Sequence, residues 1–213
     1  MATGITVWPF EPNSDEPWTE EYGYETNVLT SWGGMEQRIA LRKHPRGAVE
    51  FGFRLADNWE SQRANALLYR KHAKLWAVPL WHYGTKITSD ALIGATEISA
   101  VTDGVPFTDP LQFGQYALLW RSARSFELVT LFGIHATTVD LAVPLQATWA
   151  QVGTWLLPVR LARLGNVYGM RWENTLAVSG RIRFDFEAWA TDVLVPTVGD
   201  FFLGEGAVPA FEI

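Results

Sequence analysis

Residues 35–55 read MEQRIALRKHPRGAVEFGFRL, two alternating runs joined by a short basic step. Met35, Gln37, Ile39 and Leu41 alternate with Glu36, Arg38, Ala40 and Arg42. Val49, Phe51, Phe53 and Leu55 then alternate with Glu50, Gly52 and Arg54. A period of two is the mark of a strand with one face against a core, because successive side chains point to opposite sides of a sheet. The step between the runs, Lys43-His44-Pro45-Arg46-Gly47, holds the proline and glycine of a tight connection. Upstream, residues 24–30 lead into Trp32-Gly33-Gly34, where paired glycines supply the positive φ of a hairpin turn. Residues 24–55 are therefore expected as a three-stranded antiparallel meander.

Downstream of the meander the period changes. Asp57 and Glu60 have the spacing of a capping box, and ESQRANALLYRKHAKLW follows from residue 60. Ala64, Leu67, Leu68, Leu75 and Trp76 form one apolar stripe at helical spacing. Lys71, His72 and Lys74 suit the negative end of the dipole, and Pro79 stops continuation. A helix is predicted over 57–76. Strands return at 116–121, 126–134, 138–143 and 154–161, divided by Gly, Ser and Pro. The last is 181–189, where Ile182, Phe184, Phe186 and Ala188 face one way and Arg181, Arg183, Asp185 and Glu187 the other. Residues 196–213 carry Gly199, Gly204, Gly206 and Pro209 and are expected as an extended C-terminal arm. No internal repeat is visible.

Composition narrows the function. With 213 residues, 48% hydrophobic and 19% charged, the chain is expected to bury an ordinary core. Its 11 tryptophans serve equally as core filling or as contacts between subunits. A net charge of −6 without a basic stripe argues against holding nucleic acid by its phosphates, and suits a wall that DNA passes. The absence of cysteine removes disulfides, thiolate metal sites and cysteine nucleophiles. The longest apolar runs, 116–120 and 141–145, are too short for a membrane helix, so no membrane anchor is expected. The first residues lack the pattern of a signal peptide, which places synthesis and maturation in the cytoplasm.

No catalytic constellation stands out. His44, His72, His82 and His135 include no i, i+4 metal pair. Nucleophile-elbow, P-loop and dinucleotide-binding patterns are missing. Glu16, Glu20 and Glu21 form an acidic run beside Trp18, and Asp185 and Glu187 share a strand face. These carboxylates are expected to be solvated or ion-paired. We nominate no catalytic, cofactor-binding or metal-binding residue, name no cofactor, and expect the chain not to be an enzyme.

The segment 26–46, TNVLTSWGGMEQRIALRKHPR, resembles a pattern in tail proteins of long-tailed phages. There a turn is followed by a Glu-Gln-Arg-x-Ala-Leu-Arg strand and a Pro-Arg step. The matching residues are Glu36, Gln37, Arg38, Ala40, Leu41, Arg42, Pro45 and Arg46. The helical stretch with the following LWAVPLW is similar to that group, as are ELVTLFGI, WLLPVRLARL and GRIRFDFEAW. The resemblance implies a distal tail (tail-tip or baseplate) protein: a structural virion protein, built as an all-β chain with one helix. A tail-tube-like β-sandwich with a flanking α-helix would span 1–79 plus 179–195. A second small β-barrel-like domain would be inserted at 80–178. It implies a ring of identical copies, commonly a hexamer, at the virion tail tip, touching the tail tube protein and tip or hub proteins. DNA meets it only in passage.

On that reading Glu36, Arg38, Arg42 and Glu50 are candidates for charge pairs between subunits or along the channel. Arg38 and Arg42 are expected to be paired with Glu36 or Glu50, since free arginines would grip DNA. The competing classes are a receptor- or carbohydrate-binding tail accessory, which needs an exposed tryptophan cluster on a shallow groove, and a cell-wall hydrolase, which needs two carboxylates facing a cleft.

Overall fold

The computed structural model describes residues 5–23, 26–30, 36–40, 46–71, 74–102, 116–174 and 176–186. Over 26–30 and 36–40, and at Arg46 and Tyr168, it describes the backbone alone. In chain order the elements are β1 (Ile5–Val7), β2 (Thr19–Gly23), β3 (Thr26–Thr30), β4 (Glu36–Ala40), β5 (Arg46–Leu55) and α1 (Asn58–Lys71). They continue with β6 (Leu75–Pro79), a 3₁₀ turn (Trp81–Tyr83), β7 (Thr85–Lys86), β8 (Glu97–Ser99), β9 (Tyr116–Ser122), β10 (Ser125–Ile134), β11 (Thr138–Leu141), β12 (Trp155–Trp172) and β13 (Val178–Phe186). Among the described residues the chain is all-β with one α-helix. Eleven strands join one sheet in the order β2-β5-β13-β12-β9-β10-β11-β8, with β6 and β7 on β12 and β1 parallel to β6. No helix of the described residues is long and apolar enough to cross a membrane.

The expected meander breaks after its second strand. β3 and β4 form their own antiparallel hairpin, Thr26 opposite Ala40 and Thr30 opposite Glu36, within a separate compact unit. The third run, β5, pairs instead with β13 along Val178–Asp185 and with β2. Burial explains the choice. Val49, Phe51, Phe53 and Leu55 are all buried, and Val178, Ile182 and Phe184 from β13 extend that row.

The helix is shorter than predicted. Asp57 caps it, its Oδ1 accepting from the Trp59 amide at 2.6 Å, and Ala64, Leu67 and Leu68 are buried as the stripe requires. The helix ends at Lys71, and Leu75 and Trp76 belong to β6. There the 75–79 backbone pairs with β1 on one side and β12 on the other, and Trp76 is fully buried. Two ladders outweigh a weak helical preference in LWAVP.

β12 is the spine. Predicted to stop at 161, it runs on to Trp172 by absorbing two register shifts, between Leu164 and Asn166 and between Tyr168 and Arg171. Gly169, at φ +57°, supplies the left-handed residue of the second bulge. Its first part pairs with β7 and β9, its middle with β6 and its remainder with β13. Leu156 thus enters a core with Ile87, Ile98, Leu119 and Val139, while Ala162 enters another with Trp8, Phe53, Trp76 and Phe184. Ile182, Phe184 and Phe186 face that second core as the alternation predicts. Residues 187–189 of the expected last strand, and the 196–213 arm, lie outside the described residues.

Candidate functional site

The alternation along β12 that buries Leu156 on one side sets Trp155, Leu157, Val159 and Leu161 on the other. Directly opposed residues share a face. Trp155 stands opposite Trp120 and Leu157 opposite Leu118 on β9, and these in turn oppose Phe126 and Leu128 on β10. On the other edge Leu161 opposes Ala77 of β6, which opposes Val7 of β1. Five strands, β1-β6-β12-β9-β10, therefore build one apolar face. Ala77, Leu118, Trp120, Leu157 and Val159 are buried at its floor, whereas Ile5, Val7, Trp81, Tyr116, Phe126, Leu128, Trp155 and Leu161 are only partly covered. Ile5 and Val7 line a groove of about 350 Å³ together with Phe126, Leu128, Val143 and Pro144. Residues from both outer strands meet there, so the face is concave.

Beside the groove, Trp81, Trp155 and Leu157 line a shallow pocket of about 320 Å³ with Glu11, Pro12 and Ser14. Trp81 meets Trp120 edge-on at 4.9 Å, and the Trp120 indole N–H donates to the Pro9 carbonyl at 2.8 Å. This fixes the segment that carries Glu11. Glu11 is exposed at its surface, yet the surrounding protein raises its carboxyl above the ordinary range by desolvation.

The opposite chemistry covers the outward face of β5, β13 and β12. Arg181 Nε lies 3.2 Å from Glu50 Oε1, and Arg54 Nη2 3.1 Å from Glu173 Oε2. Arg183 bridges Glu21 at 2.8 Å and Asp185 at 3.0 Å, and the hydrogen bonds its guanidinium donates to these carboxylates hold it above its ordinary pKa. The hydrogen bond from Arg54, then one involving Ser179, holds the Glu173 carboxyl below its usual range. Gly52 leaves room on this face: the Glu16 carboxylate occupies the place where a Cβ would stand.

Of the four charge-pair candidates, Glu50 pairs with Arg181. Glu36 and Arg38 lie on β4, of which the backbone alone is described, and Arg42 lies outside the described residues. Glu21 and Asp185 are ion-pair partners of Arg183, and Glu187 lies outside the described residues.

Two histidine–carboxylate pairs occur among the described residues. His82 Nε2 is 3.1 Å from Glu20 Oε1, under Trp18, which itself stacks on Phe51 at 4.6 Å. Burial, then the Glu20 charge, raises the neighbouring Tyr83 hydroxyl. His135 Nε2 is 3.0 Å from Asp140 Oδ2 on an exposed strand end. Among the described residues no three His, Cys, Asp or Glu side chains gather to hold a metal ion. Glu127, whose two oxygens accept from the Gln146 amide and the Trp149 indole, ties a loop down.

The concave face itself is absent from the sequence reading. Its signal is present in β10: Phe126, Leu128 and Phe132 are apolar on the side that a one-sided strand would make polar, opposite Val129 and Leu131. The described tryptophans divide between core and surface. Trp8, Trp76, Trp120 and Trp149 are buried, whereas Trp59 and Trp172 are 39% and 46% exposed. No protein-family model matches the chain, and no curated protein matches it either.

Proposed function

We propose that the chain is a structural virion protein that forms a ring at the distal end of a phage tail, joining the tail tube to the tip and leaving a channel for DNA. The observation that carries this reading is the concave apolar face, whose half-buried Tyr116, Phe126, Leu128 and Trp155 are in a setting that a neighbouring subunit covers. The outward charged face supports it, because Arg54, Arg181 and Arg183 are each bonded to a carboxylate and offer DNA phosphates little free charge. The tail assignment itself comes from the resemblance of segment 26–46. On that reading residues 1–79 with 179–195 are the tail-tube-like sandwich, 80–178 the inserted barrel, and 196–213 an arm toward a neighbour. The partners are identical copies, the tail tube protein and the tip proteins.

Light scattering on the purified chain, followed by electron microscopy of labelled virions, tests the proposal. Closed rings and label confined to the tail tip are expected. A monomer at every concentration, with affinity for saccharides, would instead favour a receptor- or carbohydrate-binding accessory.

A further inference from the structure

We propose that the pocket lined by Glu11, Trp81 and Trp155 takes the guanidinium of an arginine side chain from a partner polypeptide. The chain contains the template for this contact. Arg124 Nη2 lies 2.8 Å from Asp57 Oδ2, and the same guanidinium stands 4.7 Å from the centre of the Trp59 ring. One flat cation is thereby bonded at its edge by a carboxylate and stacked on its face by an indole, which is the pairing that suits arginine.

At the second place the carboxylate belongs to Glu11 and the indoles are Trp81 and Trp155, with Pro12, Ser14 and Leu157 completing the walls. Among the described residues no cation pairs with Glu11. Its charge reaches Glu60, whose carboxyl is raised first by burial and then by Asp57, is lowered by Arg124, and is raised least by Glu11. Trp155 already draws a cation within the chain, since Lys86 Nζ stands 5.1 Å over its ring, although Lys86 is not one of the pocket-lining residues. Volume agrees: about 320 Å³ admits a guanidinium with its adjoining methylenes and excludes a folded element. A sugar ring would stack on the same indoles and its hydroxyls could donate to Glu11, but only a cation adds charge attraction to the unpaired carboxylate. The inference does not rest on the tail assignment and survives if no ring forms.

The test is a titration of the isotope-labelled full chain with N-acetyl-arginine amide, following the indole N–H signals by NMR. Saturable shifts at Trp81 and Trp155 are expected, with weaker binding of N-acetyl-lysine amide. Glu11→Gln is expected to weaken arginine binding about fivefold, Trp155→Leu to weaken it comparably, and Glu97→Gln, on β8, to leave it unchanged. Arginine binding that is indifferent to Glu11→Gln, or shifts at these indoles produced by N-acetylglucosamine and not by arginine, would overturn the proposal.

Discussion

Phe184 is fully buried, with the rings of Trp76, Trp8 and Phe51 at 5.7, 5.9 and 6.1 Å. A carboxylate placed there has aromatic faces on several sides and no countercharge, at a cost of several kcal/mol that approaches the whole stability of a domain. Phe184→Asp is therefore expected to abolish the near-UV circular dichroism and the cooperative melt; a normal melt would show that this side chain faces elsewhere. Glu11 makes a gentler case. Burial raises its folded pKa, so its ionised form is the one the fold disfavours. Its contribution is restored as pH falls through the raised value and stays level once both states are protonated, below about 4. Glu11→Gln should accordingly melt slightly higher than the parent at pH 7, with the difference closing as pH falls below the ordinary glutamate pKa of about 4.3, as measured by calorimetry. Side-chain facing was legible at this scale, because alternation along 181–186 depends only on neighbours two residues away. Ion-pair partners were not. Glu50 meets Arg181 only because β5 and β13, far apart in the chain, lie side by side.

Among elements, β12 shows how local punctuation misleads. Gly165, Asn166 and Gly169 lie beyond the expected end at 161, and they sit at bulges inside the strand. Gly169 has open space where a Cβ would stand, so only its φ of +57° penalises a side chain. Gly169→Ala is expected to lose roughly 1 kcal/mol, lowering the melting temperature by about 2–4 °C in a domain of this size; an unchanged or higher value would place the turn elsewhere. The helix repeats the lesson in reverse. Its start was legible because Asp57 caps through its own backbone neighbourhood, while its end was misplaced because β1 and β12 claim 75–79 for the sheet. The hairpin of β3 and β4 pairs strands that are neighbours in the chain, a local contact.

On the scale of the molecule, the decisive feature is the side of β12 turned away from the two cores, which is apolar, concave and only partly covered along β1-β6-β12-β9-β10 and passes, through Arg163 opposite Asp185, into the ion pairs of β13 and β5. Leu128 sits in the wall of the groove, half-buried, opposite buried Leu118. Leu128→Lys lets the long stem lie along the groove while its charge reaches water, so the fold is expected to survive with a loss on the order of 1–2 kcal/mol. Light scattering should then report monomers where the parent assembles. Unaltered assembly would remove the groove from the interface. From sequence alone came the strand class, the single helix and its cap, the inward row of the last strand and the lack of a recognisable catalytic motif, since each depends on spacings of a few residues. Strand partners, the continuation of β12, the pairing of Glu50 and the concave face were decided only in three dimensions. Each is a contact between segments that the chain keeps distant, and the burial that selects it exists only once the whole sheet has formed.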